Sequence, residues 1–188
     1  MAVLIGTKPY LLKNLNQSLE ALKILSNDQK QEKCDDWKNK IEDICVFLAK
    51  IETLREDIES RKSLIAQWKS WGDFNPHDIE RLQKNGVIVK LYEIPSSEIS
   101  KIPEDVSCSI IAQESGKALC VLVSQKEFHL SHQPLILPSD GLNALILKQK
   151  ENEEEIKRLE GDIASYGKYS KYFEEVLKSQ EERLRFEE

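Results

Sequence analysis

The stretch WKNKIEDICVFLAKIETLREDIESRKSLI at 37–65 decides the fold. Within it Trp37, Ile41, Ile44, Leu48, Ile51, Arg55, Ile58, Lys62 and Ile65 follow alternating steps of four and three, and only Arg55 and Lys62 interrupt the apolar stripe. That spacing is a heptad seam, the signature of a helix that packs on another helix. Toward the end of the chain Leu145, Gln149, Asn152, Ile156, Leu159, Ile163, Tyr166, Ser170, Phe173, Leu177, Gln180 and Leu184 keep the same rhythm. Neither stripe can be buried alone, and the intervening chain is too short and too structured for a parallel pair. The expected fold is therefore α+β: a long antiparallel two-helix coiled coil with a small α/β lobe inserted at its tip. At 1.5 Å per residue, about 40 residues span roughly 60 Å, which predicts a rod. The register places Ile58 opposite Ile156, Ile51 opposite Ile163, Leu48 opposite Tyr166 and Trp37 opposite Leu177. Arg55 then falls beside Leu159 and Glu160, and Lys62 beside Glu151 and Asn152; such polar interruptions fix register and direction.

Outward from the seams, four segments are expected: an N-terminal segment at 1–33 with a short helix, a first long helix at 34–73, a distal α/β lobe at 74–138 and a return helix at 139–188. Tyr10, Leu11, Leu15, Leu19, Leu22 and Leu25 have helical spacing, and the helix they form is expected to fold back near 173–184. Ser26, Asn27 and Asp28 break it, with Asp28 and Gln31 spaced as a capping box for the next helix. In the lobe, Asn75 reads as an N-cap, Pro76 as the first helical residue and Asp78 as the N3 acid. Phe74 and Ile79 are spaced as a hydrophobic staple, and Gly86 as a left-handed terminator. A strand at 87–92, a helical turn at 97–102 and a hairpin at 107–124 around Ser115-Gly116 follow. Pro134 and Pro138 bound a further edge strand at 133–137.

Composition removes several function classes. Charged residues number 14 among the 63 at 76–138 and 21 among the 42 at 147–188. A compact lobe holds few charges inside, whereas a long helix in water carries many on its outer face. The net charge is −6, and the return helix carries 9 positive against 12 negative charges. Both disfavour nucleic acid as a partner, including an RNA-binding helical arm, because phosphate binding needs clustered Lys and Arg. No apolar run is longer than that at 118–123, far below the roughly 20 residues of a membrane-spanning helix, and 1–10 has no secretory pattern. Cys34, Cys45, Cys108 and Cys120 form no CxxC pair; they read as free thiols, with Cys45 and Cys120 as small core residues.

The run Trp71-Gly72-Asp73-Phe74-Asn75-Pro76, followed by Ile79, Leu82, Gly86-Val87 and the strand to Tyr92, resembles the start of the distal lobe in subunit I of V-type ATP synthases. That subunit is the bacterial counterpart of subunit a of the vacuolar ATPase. The order of long helix, lobe and return helix is similar too, so the resemblance covers most of the chain from Cys34 onward. It implies a non-catalytic stator and scaffold piece at the cytoplasmic face of the membrane. Its partners would be the peripheral stalk subunits E and G and the ion-translocating membrane sector, and it would resist torque while other subunits hydrolyse ATP. The segment 1–10 does not show the family's proximal strand-helix-strand, and nothing matches its membrane domain. The chain is thus expected to be a truncated cytoplasmic piece, and no ion-pathway residue is carried over. The resemblance puts stalk docking on the lobe, where the lightly charged edge at 133–137 lies near Phe128, Leu130 and Leu135, the candidate contact residues. The alternative reading is a free-standing coiled-coil adaptor with a recognition lobe.

No pattern argues for catalysis or a cofactor. The seven glycines form no GxxxxGK or GxGxxG loop, and no small-molecule substrate site is expected. His129 and His132, three apart in an extended segment, point to opposite faces without a third ligand, so no metal is expected. His77 reads as a solvated first-turn residue, and Trp68 and Trp71 as packing at the base of the lobe. The acidic run at 151–155 reads as a solvated helix face.

Overall fold

The structure, a computed structural model, describes residues 8–27 and 29–185. The expected cap at Asp28 and the opening at 1–7 lie outside the described residues. The chain is of mixed α+β class and divides into two compact units, Met1–Ile58 with Glu151–Glu188, and Glu59–Lys150.

In the first unit, α1 (Lys8–Leu25) turns its leucine stripe inward and buries Leu15, Leu19 and Leu22. These side chains share one core with Ile41, Ile44 and Ile51 of α2 (Trp37–Trp68), Leu159 and Ile163 of α4 (Leu142–Ser165), and Phe173 of α5 (Ser170–Arg185). The buried residues of α2 as far as Ile58, and those of α4, are seam positions, and Arg55 stays exposed as an interruption of a seam should. Tyr166 Oη donates to Asp43 Oδ2 at 3.1 Å, Lys50 pairs with Glu155 at 2.6 Å and Arg55 with Glu160 at 3.0 Å. Lys50 and Arg55, later in α2 than Asp43, pair with Glu155 and Glu160, which precede Tyr166 in the chain. Arg55 meets Glu160, as the register predicts.

The return helix differs from expectation. Instead of one helix through 139–188, α4 stops at Ser165 and a 3-10 turn occupies Tyr166–Tyr169 before α5 begins. Residues 29–34 are not helical either, and they supply the reason for the break. Gln29 Nε2 donates to Ala164 O at 3.1 Å, and Glu32 N to Lys168 O at 2.7 Å. Gln31 bridges the gap: Nε2 donates to Gly167 O at 3.2 Å, while Oε1 accepts from Lys171 N at 3.0 Å. Gln31 therefore caps α5 rather than α2. Gly167 permits the approach, since a Cβ there would lie 2.5 Å from Ser26 Cβ. The strap thus satisfies carbonyls and an amide that a broken helix leaves open.

The second unit follows its local signals closely. Asn75 Oδ1 accepts from His77 N at 3.1 Å and opens α3 (Pro76–Lys84). Phe74 and Ile79 pack into the same cluster, and Gly86 has φ +80°. Then come β1 (Ile88–Pro95), a 3-10 turn at Ser96–Lys101, β2 (Ser107–Glu114) and β3 (Lys117–Ser124). The sheet is antiparallel in the order β1-β3-β2. Ser115 and Gly116 both have positive φ, 51° and 79°, the twist that two-residue hairpins favour. Alternation gives each sheet face its own core. Tyr92, Ile94, Ala118, Cys120 and Leu122 pack with Val106 and Phe128 on one face. On the other, Val89 and Leu91 pack with Trp68 and Trp71, flanked by Leu119, Val121 and Val123. The expected edge strand at 133–137 does not form; this segment is irregular and joins β1 through one bond, Leu135 N to Leu91 O at 2.7 Å. Pro134 has no N–H to donate, which breaks the ladder beside that bond.

Candidate docking surface of the lobe

Phe128, Leu130 and Leu135 do not form one patch. Phe128 is 7% exposed and acts as a core residue. Its ring lies 6.5 Å from that of Tyr92, and Lys90 Nζ sits 4.7 Å above it. Lys90 also donates to Phe128 O at 2.8 Å and pairs with Glu127, whose carboxyl is held below the usual range chiefly by that bond. One lysine thus ties the start of the 127–137 segment to β1. Leu130 packs on the same side, against the Tyr92–Phe128 cluster. Leu135 packs on the opposite face, against the Trp68–Trp71 cluster.

The histidines are each paired with a carboxylate. His132 Nε2 is 2.9 Å from Glu98 Oε2, a contact that lowers the Glu98 carboxyl pKa more than any other influence. His129 lies 4.0 Å from Glu127, and His77 3.3 Å from Glu80. Among the described residues no group of three or more His, Cys, Asp and Glu is placed to hold a metal ion.

Leu135 does line a concavity. A groove of about 260 Å³ opens on its face of the sheet, floored by Trp71, Ala112, Leu119 and Leu135 and rimmed by Glu93 and Lys117. Those two rim residues pair with each other at 2.6 Å. Glu114 also lines the groove, and the apolar floor suits one inserted apolar side chain of a partner.

Three exposed isoleucines of the lobe at 74–138 escaped the sequence reading. Ile136 is 90% exposed beside Leu135, and Ile110 and Ile111 are about half exposed on β2. The β2–β3 ladder slips between Ile110 and Ala112, so Ile111 is the extra residue of a bulge. The signal was available: an Ile-Ile doublet breaks the two-residue alternation of a half-buried strand.

No known family profile matches the chain. A stretch of 104 residues is 25% identical to V-type ATP synthase subunit I 1 of Treponema pallidum (strain Nichols). The match covers 53% of this chain and 17% of that protein, which is evidence of a distant relationship. Among the described residues no helix is long and apolar enough to cross a membrane.

Proposed function

We propose that this chain is a non-catalytic stator and scaffold part of a rotary V-type ATPase, linking its ion-translocating membrane sector to the peripheral stalks at the cytoplasmic face. The observation that carries the proposal is the similarity to the Treponema subunit I. The two heptad seams support it, because long helices paired along such seams bear load with little bending. In this reading the lobe receives stalk subunits E and G. The groove lined by Ala112 and Leu135 takes an apolar side chain and Ile136, beside Leu135, contributes apolar contact, while Phe128 and Leu130 pack on the other face of the sheet.

The test is binding of the full chain to purified E–G heterodimer, read by calorimetry. Ala112→Arg, which fills the groove, and Ile136→Asp are each expected to weaken binding by roughly tenfold or more, as removal of a central apolar contact does. Glu59→Lys is expected to leave it unchanged. Binding that ignores both lobe substitutions would move the contact off the lobe. Absence of binding by the unaltered, folded chain would favour the adaptor reading.

A further inference from the structure

Two of the four cysteines meet in the hairpin. Cys108 on β2 stands opposite Leu122, and Cys120 on β3 stands opposite Ile110. Opposed residues of an antiparallel pair share a face, and every second residue returns to it. Cys108 and Cys120 are therefore diagonal neighbours on one face of the sheet. Their surroundings differ. Cys108 is exposed on the edge strand, while Cys120 is fully buried against the Tyr92–Phe128 core. Elsewhere, Cys45 faces Ser18 Oγ and Asn14 O, not another thiol.

Diagonal neighbours in a regular ladder are about 7–8 Å apart between Cα atoms. A disulfide needs about 4.4–6.8 Å, so closure requires a small backbone shift. β2 can supply it: the strand is bonded within the sheet on one side only, and its ladder is already irregular between Ile110 and Ala112.

We propose that Cys108 and Cys120 are a thiol–disulfide exchange site that takes a low-molecular-weight disulfide such as oxidised glutathione and closes to a reversible cross-strand bond. The Cys108 thiolate attacks one sulfur of the small disulfide, whose S–S bond breaks and releases one small thiolate. The Cys120 thiolate then attacks the Cys108 sulfur of the mixed disulfide and releases the second. Two protein thiols are oxidised to one disulfide, the small disulfide is reduced to two thiols, and the two cysteine protons pass through water to the leaving groups. Burial, with the neighbouring Cys108, pushes the Cys120 thiol up to about 11. The closing step is therefore slow near neutrality and quickens roughly tenfold per pH unit below that value.

The test equilibrates the full chain with glutathione redox buffers, quenches by alkylation and maps peptides by mass spectrometry. The expected product has lost two hydrogens, links the Cys108 and Cys120 peptides, and reverts with dithiothreitol. Its rate of closure should rise with pH. Cys120→Ala should stop the reaction at a glutathione mixed disulfide on Cys108, and Cys108→Ser should leave Cys120 unmodified in the folded chain. The peptide map of the unaltered chain decides the matter even if a variant fails to fold. Accumulation of the Cys108 mixed disulfide without closure would overturn the proposal, as would equal reaction of Cys120 in folded Cys108→Ser.

Discussion

At the scale of single residues, position on the seam decides the cost of a change. Ile51 is 3% exposed within the first core, so Ile51→Asp places a carboxylate without a partner among apolar side chains. The expected loss is several kcal/mol, about 3 or more. Glu59 is exposed and its pair with Lys62 is an i,i+3 surface contact, so Glu59→Lys should stay within about 0.5 kcal/mol. Urea denaturation of both variants checks this, and similar midpoints would show that Ile51 is not a core position. Charge enters the same unit through Glu155, which accepts from Arg158 Nε and Lys50 Nζ at 2.7 and 2.6 Å. Arg158 first and Lys50 second hold its carboxyl at about 2, down from 4.5. A depressed carboxyl favours the folded state above its unfolded value, and that contribution disappears as pH falls from about 4.5 to about 2. Glu155→Gln should therefore flatten part of the stability profile in that window and leave its slope near neutrality unchanged. An identical acid limb in the variant would mean that these exposed pairs contribute nothing.

At the scale of elements, the legible features are those whose cause lies within a few residues. Asn75-Pro76 opens a helix and Ser115-Gly116 turns a hairpin because the bonds and φ angles involved are local. The break in the return helix was illegible for the opposite reason. Gln31 acts on Gly167 and Lys171, 136 and 140 residues away, and nothing near Tyr166 announces a strap arriving from 29–34. The misplaced edge strand has a similar origin. Residues 133–137 are apolar enough for a strand, but their course is set by Leu135 reaching Leu91 and by Lys90 holding Phe128. For the candidate surface, the sequence located the segment but not the side of the sheet on which each side chain falls. Phe128 looked available because its burial depends on Tyr92 and Lys90. A prediction follows for the strap. Gln31→Ala removes one donor and one acceptor at the α4–α5 break and should cost about 1–2 kcal/mol. Hydrogen exchange should quicken first at Lys171 and its helical neighbours, whereas unchanged protection there would deny Gln31 a capping role.

At the scale of the whole molecule, the distribution of core residues makes a claim about cooperativity. Every side chain of the Leu15–Phe173 cluster comes from 1–58 or 151–188, and every side chain of the two sheet clusters comes from 59–150. Helices α2 and α4 contribute residues to both units, and among the described residues no buried side chain belongs to two of these clusters. The free energy lost by emptying one core should thus be felt mainly in the unit that holds it. Leu122 is fully buried at the centre of β3, and Leu122→Ala should cost about 2–5 kcal/mol through lost burial and the cavity left behind. Amides of β1, β2 and β3 should then exchange faster, while those at Leu15–Leu22 of α1 keep their unaltered protection. Leu15, also fully buried, supplies the reciprocal experiment: Leu15→Ala should expose α1 and α5 and spare the sheet. Native-state hydrogen exchange of both variants reads the two outcomes in one measurement. If either substitution accelerated exchange uniformly through helices and sheet, the units would unfold as one. In that case the continuity of α2 and α4 would outweigh the separation of their cores.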